Sequence, residues 1–168
     1  GLVPATVKRE VNGQAGILQA RPERWVTQAD VEEKSLRIGG WCALEPQFQL
    51  MYAFDALISN DGRTRERILY DAAEWMLLLT GHEQAFGTSK ALPRHLRESV
   101  PRPGPEMQRR LAMLDKAALV QAVGDLLKER ERSALLARRD LLLANPKVAR
   151  SFHSVDVARN DPDRDVGR

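Results

Sequence analysis

The segment from Phe54 to Phe86 places the tightest constraint on the fold of this chain. It begins in an apolar stretch with helical spacing, which breaks at the polar residues 59–62. Two short apolar runs follow, at residues 68–70 and 75–79, on either side of a polar turn. Runs of this length around such a turn are typical of a β-hairpin. The pattern predicts a buried helix, a polar loop and a small hairpin at about residues 68–79.

A second hairpin signal lies near the start of the sequence. Residues 2–8 have the composition of a strand, Asn12-Gly13 is a strong short-range turn signal, and residues 16–20 supply a partner strand. Thr27 and Asp30 have the spacing of a capping box, which predicts a short helix after the hairpin.

Most of the remaining sequence has helical spacing. Pro46 is placed in the first turn of a helix that runs up to the polar loop, and helices are again predicted from Glu106 onward, with Asp115 as a cap. The last helix should end before Pro146. Its predicted apolar face consists of Leu135, Leu136, Leu142 and Leu143. The fold class expected is therefore α+β, and mostly helical.

Composition indicates a globular protein and excludes several classes of site. The chain has 168 residues, of which 43% are hydrophobic and 29% charged, with a net charge of +3. Its single cysteine, Cys42, excludes a disulfide within the chain and a cysteine-based zinc site. With no apolar run of about 18 residues and no secretory signal pattern, we expect a cytoplasmic protein without a membrane partner. Aromatic residues are 5% and no recognition motif is present, so no nucleic-acid partner is expected either.

The order of these features resembles a bacterial branch of the protein-kinase-like superfamily, related to lipid-kinase-like and HipA-type kinases. The resemblance covers about residues 2–143 and is strongest between residues 54 and 86. It implies the mostly helical large lobe of a kinase-like fold over residues 25–150. Residues 1–24 would then be a remnant of the small lobe with the hinge, and residues 151–168, which are polar and charged, a disordered tail.

The family's catalytic loop reads Asn-Thr-Asp-Arg, three further residues, then Asn. The corresponding stretch here is Asn60-Asp61-Gly62-Arg63, with Arg67 at the final position. Asn60 and Arg63 match the family pattern. Gly62 stands in place of the catalytic Asp, and Arg67 in place of the metal-binding Asn.

The family's second metal motif, Ile-Asp-His followed by two residues and Ala-Phe, corresponds to residues 80–86. Gly81 stands at its metal-binding Asp, directly before His82. Phosphoryl transfer depends on Mg²⁺ held by hard oxygen ligands. Glycine has no side-chain oxygen, and Arg67 adds a fixed positive charge. The resemblance therefore implies that Mg²⁺ is not bound, and it leaves Asp61 as the nearest carboxylate that could act as a base.

ATP is the candidate cofactor that the resemblance implies, and Gln19, at the expected hinge, Arg67 and His82 are its candidate contacts. The loop is also rich in arginine. This basic cluster has two interpretations: it is a solvated loop, or it is an anion site for a phosphate group. Its members are Arg63, Arg65 and Arg67, with Arg94 and Arg97 as neighbours.

The combined loss of oxygen ligands at positions 62, 67 and 81 favours a pseudokinase-like binding or regulatory domain without phosphotransfer activity. Its partner would be a protein or a nucleotide. Two alternatives stay open. One is a divergent ATP-dependent phosphotransferase completed by an N-terminal segment, and the other is a purely structural helical interaction module.

Overall fold

The computed structural model describes residues 3–20, 24–37, 43–73, 75–97, 101 and 103–144. These residues form two compact units. The first unit contains the described residues up to Leu44 together with Thr64–Thr80, and the second contains Glu45–Arg63 and the described residues from Gly81 onward. The boundary expected after residue 24 stays a prediction. The predicted tail at 151–168 and the predicted stop at Pro146 lie outside the described residues.

The first unit opens with an antiparallel hairpin of strands β1 (Thr6–Val11) and β2 (Gln14–Gln19). Asn12 and Gly13 connect the strands with φ angles of 52° and 77°. Two consecutive positive φ angles are what the right-handed twist of a two-residue hairpin requires, and Asn-Gly adopts them readily. The hairpin predicted for residues 2–20 is therefore confirmed, although β1 begins later than residue 2. Every residue of both strands is exposed.

The second sheet of this unit contains three antiparallel strands in the order β3 (Trp25–Thr27), β4 (Ile68–Asp71) and β5 (Leu77–Leu79). The last two strands confirm the hairpin predicted at about residues 68–79. The sequence did not predict β3, because three residues are too few to show an alternating pattern. Pairing of β3 with β4 brings residues 64–80 into the first unit.

Thr27 caps helix α1 (Gln28–Glu33), as its spacing from Asp30 predicted. The Thr27 hydroxyl accepts a hydrogen bond from the Asp30 amide at 3.0 Å, and the Asp30 carboxylate accepts one from the Thr27 amide at 3.0 Å. This reciprocal pair satisfies two amide donors that a helix start would otherwise leave unbonded. On the same helix Gln28 is buried, and its side-chain oxygen accepts a hydrogen bond from the Tyr70 hydroxyl.

The second unit is built from helices α2 (Leu44–Ile58), α3 (Pro105–Met113), α4 (Lys116–Val123) and α5 (Glu129–Ala144). Helix α2 begins slightly before Pro46 and is buried over most of its surface, as predicted. Asp115 caps α4 by accepting a hydrogen bond from the Ala118 amide at 2.7 Å. No described helix combines the length and apolar character that crossing a membrane requires.

The apolar face predicted for α5 is partly wrong. Leu135 and Leu142 are buried, but Leu143 is 40% exposed. The helix instead buries Ala134 and Arg138 beside the two leucines. Spacings of three and four residues follow the helical period, whereas the predicted set required a wider face that included two adjacent pairs of leucines. A buried arginine takes one of the positions that the pattern would give to an apolar residue.

We predict that Tyr70→Phe destabilises the chain by about 1–2 kcal/mol, because it leaves the buried Gln28 oxygen without its donor. Urea unfolding followed by circular dichroism measures this change. As a control, Gln28→Met in the Tyr70→Phe background should recover part of the loss, since both polar partners are then absent. A double variant as unstable as the sum of the two single variants would contradict a coupled pair.

Candidate functional site

The carboxyl end of α2 is the point from which the candidate loop starts. The last four carbonyls of a helix have no partner within the helix. Here each of them accepts a hydrogen bond from a residue beyond the helix end. The pairs are Asp55 O with Asn60 N at 2.9 Å, Ala56 O with Ser59 N at 3.4 Å, Leu57 O with Arg138 Nε at 2.9 Å, and Ile58 O with Phe86 N at 2.6 Å. The helix end therefore fixes the starts of the loops at 59–63 and 86–89.

Arg138 joins α5 to the end of α2 and to the segment at 86–89. Its side chain is fully buried and also donates to the carbonyls of Gly87, at 3.2 Å, and Ser89. Among the described residues no carboxylate pairs with it, and its Nη2 has no hydrogen-bond partner. Burial lowers the pKa of Arg138 to about 10, so the side chain stays charged at neutral pH. Its position beside the negative end of the α2 dipole offsets part of the desolvation penalty.

The loop itself is held by a buried ion pair. Asp55 is fully buried, and the Arg63 side chain is 3% exposed. Arg63 donates two hydrogen bonds to the Asp55 carboxylate, from Nε at 2.7 Å and from Nη2 at 2.8 Å. Asn60 adds a third donor to Asp55 at 3.0 Å, and its own side-chain oxygen accepts from the Gly62 amide at 3.2 Å. Because the paired geometry is bidentate, the network fixes the direction of the loop backbone.

His82 faces this ion pair. Its Nε2 lies 3.2 Å from Arg63 Nη2, and its ring meets the Phe54 ring edge-on with centroids 5.7 Å apart. A guanidinium can only donate, so Nε2 must accept and the ring proton of neutral His82 lies on Nδ1. Burial, followed by the charge of Arg63, lowers the pKa of His82, while Asp55 and Glu83 act in the opposite direction. His82 is therefore neutral at neutral pH.

Asp61 lies outside the buried network. Its side chain is 54% exposed, and its Oδ1 lies 4.0 Å from His95 Nδ1 and accepts a hydrogen bond from the Arg94 amide at 3.1 Å. Burial lowers the pKa of His95, with Asp55 and Asp61 acting in the opposite direction. Asp61 is thus a carboxylate that solvent can reach, next to a weakly basic imidazole.

The structure brings together four of the predicted site residues in the second unit, namely Asn60, Gly62, Arg63 and His82. Gly81, directly before His82, and Asp61 lie in the same unit, and Gly81 has a φ of 73°, in the left-handed region. The other two, Gln19 and Arg67, belong to the first unit. Gln19 donates to the Thr6 hydroxyl at 3.2 Å, and the Arg67 carbonyl accepts from the Thr80 amide at 3.4 Å.

Three arginines of the predicted basic cluster already have protein partners. Arg63 binds Asp55, Arg65 pairs with Glu32 at 2.5 Å, and Arg97 donates from Nε to the Leu92 carbonyl at 3.0 Å. An anion site built on the cluster would have to compete with these bonds. These bonds tie three side chains of the cluster to the protein itself, and an anion site on the cluster stays a prediction.

Two residues of the site were not identified from the sequence. Asp55 gave a usable signal, since it is an acidic residue within an otherwise apolar helix and buried acids need partners. Arg138 gave none, because Arg138-Arg139-Asp140 has the composition of an exposed helix surface.

Within the part of the chain that the structure describes, no three His, Cys, Asp or Glu side chains converge so as to hold a metal ion. Comparison with known proteins gave no matching family model, no matching curated protein and no matching solved structure. The kinase-like resemblance therefore stays a prediction that rests on the residues themselves.

We predict that Asp55→Asn destabilises the chain by about 3–5 kcal/mol, because Arg63 would then be a buried cation without a counter-ion. Asp140→Asn is the matched control. Asp140 pairs with Arg139 but is 63% exposed, so its loss should change stability by less than about 1 kcal/mol. Equal effects of the two variants in urea unfolding would show that the Asp55 pair is not a buried constraint.

We predict that stability falls as the pH is lowered from about 7.5 to about 5, in part because of His82. The folded-state pKa of His82 is lower than its unfolded value, so the unfolded chain takes up more protons in this range and is favoured. His82→Gln keeps an acceptor for Arg63 but does not titrate, so it should flatten the dependence of unfolding free energy on pH. His95→Gln should remove a separate part of the slope, since its pKa is also lowered. An unchanged slope in His82→Gln would refute this assignment.

Proposed function

We propose that this chain is a degenerate kinase-like domain that acts by binding a partner and does not transfer phosphate. The observation that carries the proposal is the contrast within the loop at 60–63. The side chains that fix the loop, Asn60 and Arg63, are retained and engaged with Asp55. Gly62, in place of the family's catalytic acid, supplies only a backbone amide, which is bonded to Asn60. The loop is therefore shaped without the group that would perform general-base chemistry.

The same contrast holds for the metal ligands that the resemblance implies. Arg67 and Gly81 offer no side-chain oxygen to a cation, and Mg²⁺ requires several. A guanidinium carries a fixed positive charge and binds phosphate oxygens in a bidentate manner. We therefore propose that the ligand is a nucleotide bound without Mg²⁺, with the Arg67 charge taking the role of the metal in offsetting phosphate charge.

The position of the Asp61 carboxylate favours a second candidate function, that of a divergent phosphotransferase. Its carboxylate is exposed, and a hydrogen bond from the Arg94 amide holds it in place. A carboxylate so placed could accept the proton of a hydroxyl nucleophile. One carboxylate does not restore a metal site, so this candidate requires that the metal ligands come from elsewhere.

Thermal unfolding with ATP, in Mg²⁺ or in EDTA, tests the proposal. We expect ATP to raise the melting temperature by a similar amount in both buffers, because binding to the native state stabilises it without metal. Arg67→Gln should abolish the shift. Arg65→Gln is the matched control, since Arg65 lies in the same turn, is 63% exposed and pairs with Glu32.

Two results would contradict the proposal in different ways. Turnover of Mg·ATP that disappears in Asp61→Ala would favour the phosphotransferase. No shift with ATP in either buffer would favour a structural interaction module.

A further inference from the structure

The hairpin of β1 and β2 is exposed to solvent along its whole length. All residues of both strands are exposed, and no third described strand pairs with either edge. Its exposed apolar residues include Ile17 at 71%, Leu18 at 56% and Val11 at 58%. An isolated two-stranded hairpin is marginally stable in water, and open edges attract other strands.

We propose that β2 pairs with β2 of a second copy of this chain, forming a four-stranded antiparallel sheet. This inference does not rest on the proposed function.

The distribution of charge selects β2 as the pairing edge. β1 carries Lys8, Arg9 and Glu10, whereas Gln14–Gln19 has no charged residue. In two-fold pairing of β1 with itself, the registers with most overlap place Lys8 against Lys8 or Arg9 against Arg9. Like charges directly opposite each other destabilise a sheet, and charges on an edge strand oppose such pairing. No register of β2 with itself brings like charges together.

The hydrogen-bond pattern of the hairpin fixes which groups of β2 are available. Val11 opposes Gln14 next to the turn, and the Ala20 amide donates to the Ala5 carbonyl at 2.9 Å. Antiparallel pairs alternate between bonded and non-bonded. The backbone groups of Ala15, Ile17 and Gln19 therefore point away from β1, towards the open edge.

In one register with two-fold symmetry, the backbone groups of all three residues form hydrogen bonds with the second copy. It places Ile17 opposite Ile17 of the second copy, and Ala15 opposite Gln19. Gly16 then lies opposite Leu18 of the second copy. Space around Gly16 is open, with no atom within 4 Å of the position a Cβ would take, and it adjoins a shallow cavity of about 300 Å³. The Leu18 side chain of each copy can fill the space beside Gly16 of the other.

Disulfide trapping tests the register. In a Cys42→Ser background, Ile17→Cys should form a dimer on mild oxidation, because opposed residues of a bonded pair lie about 5.5 Å apart, within reach of a disulfide. Leu126→Cys, at a position 86% exposed in the other unit, is the control and should crosslink much more slowly. Crosslinking through Lys8→Cys at the rate of Ile17→Cys would place the contact on β1 and overturn the proposal.

Analytical ultracentrifugation measures dimerisation of the chain without introduced cysteines. One strand pair buries less than the roughly 1,200 Å² of a typical stable complex, so we expect reversible dimers between about 10 µM and 1 mM. Ile17→Lys should weaken dimerisation about ten-fold or more by opposing two like charges, whereas Leu126→Lys should not. A chain that is monomeric throughout this range, or a dimer that tolerates Ile17→Lys, would overturn the proposal, the first result favouring a different protein as the occupant. Circular dichroism confirms that each variant is folded.

Discussion

The carboxyl end of α2 is the constraint on which the second unit depends. Its four terminal carbonyls would each be costly to bury unbonded, and each has a separate donor. One donor is Arg138, which lies 81 residues further along the chain from Leu57. A single helix end thus joins the loop at 59–63, the segment at 86–89 and α5.

Two residues with left-handed backbone conformations lie at the same place. Ser59 and Phe86 have φ angles of 57° and 64°, which are uncommon for residues other than glycine. Both flank the α2 end, and the Phe86 amide bonds directly to Ile58. Conformations of this kind persist where surrounding bonds determine them and are often found at functional sites. Gly81 has a φ of 73°, which glycine adopts without steric penalty.

Local signals in the sequence were sufficient for elements whose cause is local. Asn12-Gly13 predicted the first hairpin, and Thr27 and Asp115 predicted helix starts, because the bonds involved span only a few residues. Strand β3 forms because β4 is available to pair with it, and that partner lies far along the chain. For the site, the loop residues Asn60 and Arg63 could be identified by their resemblance to a motif. Arg138 bonds to Leu57, Gly87 and Ser89, which are far from it in the chain, and no short pattern encodes such contacts.

The buried ion pair of Asp55 and Arg63 also gives the loop at 59–63 a defined shape. A buried salt bridge contributes little net stability compared with a well-packed apolar pair, because desolvation opposes the Coulombic gain. Its directional bonds, however, specify one arrangement of donors and acceptors. Arg63 must meet Asp55 and His82 at once, and Asn60 must meet both Asp55 and the Gly62 amide. We expect these directional bonds to restrict the loop to fewer conformations than an apolar cluster would. Under the proposed binding function, this loop, which has no carboxylate at position 62, would hold a ligand in one orientation.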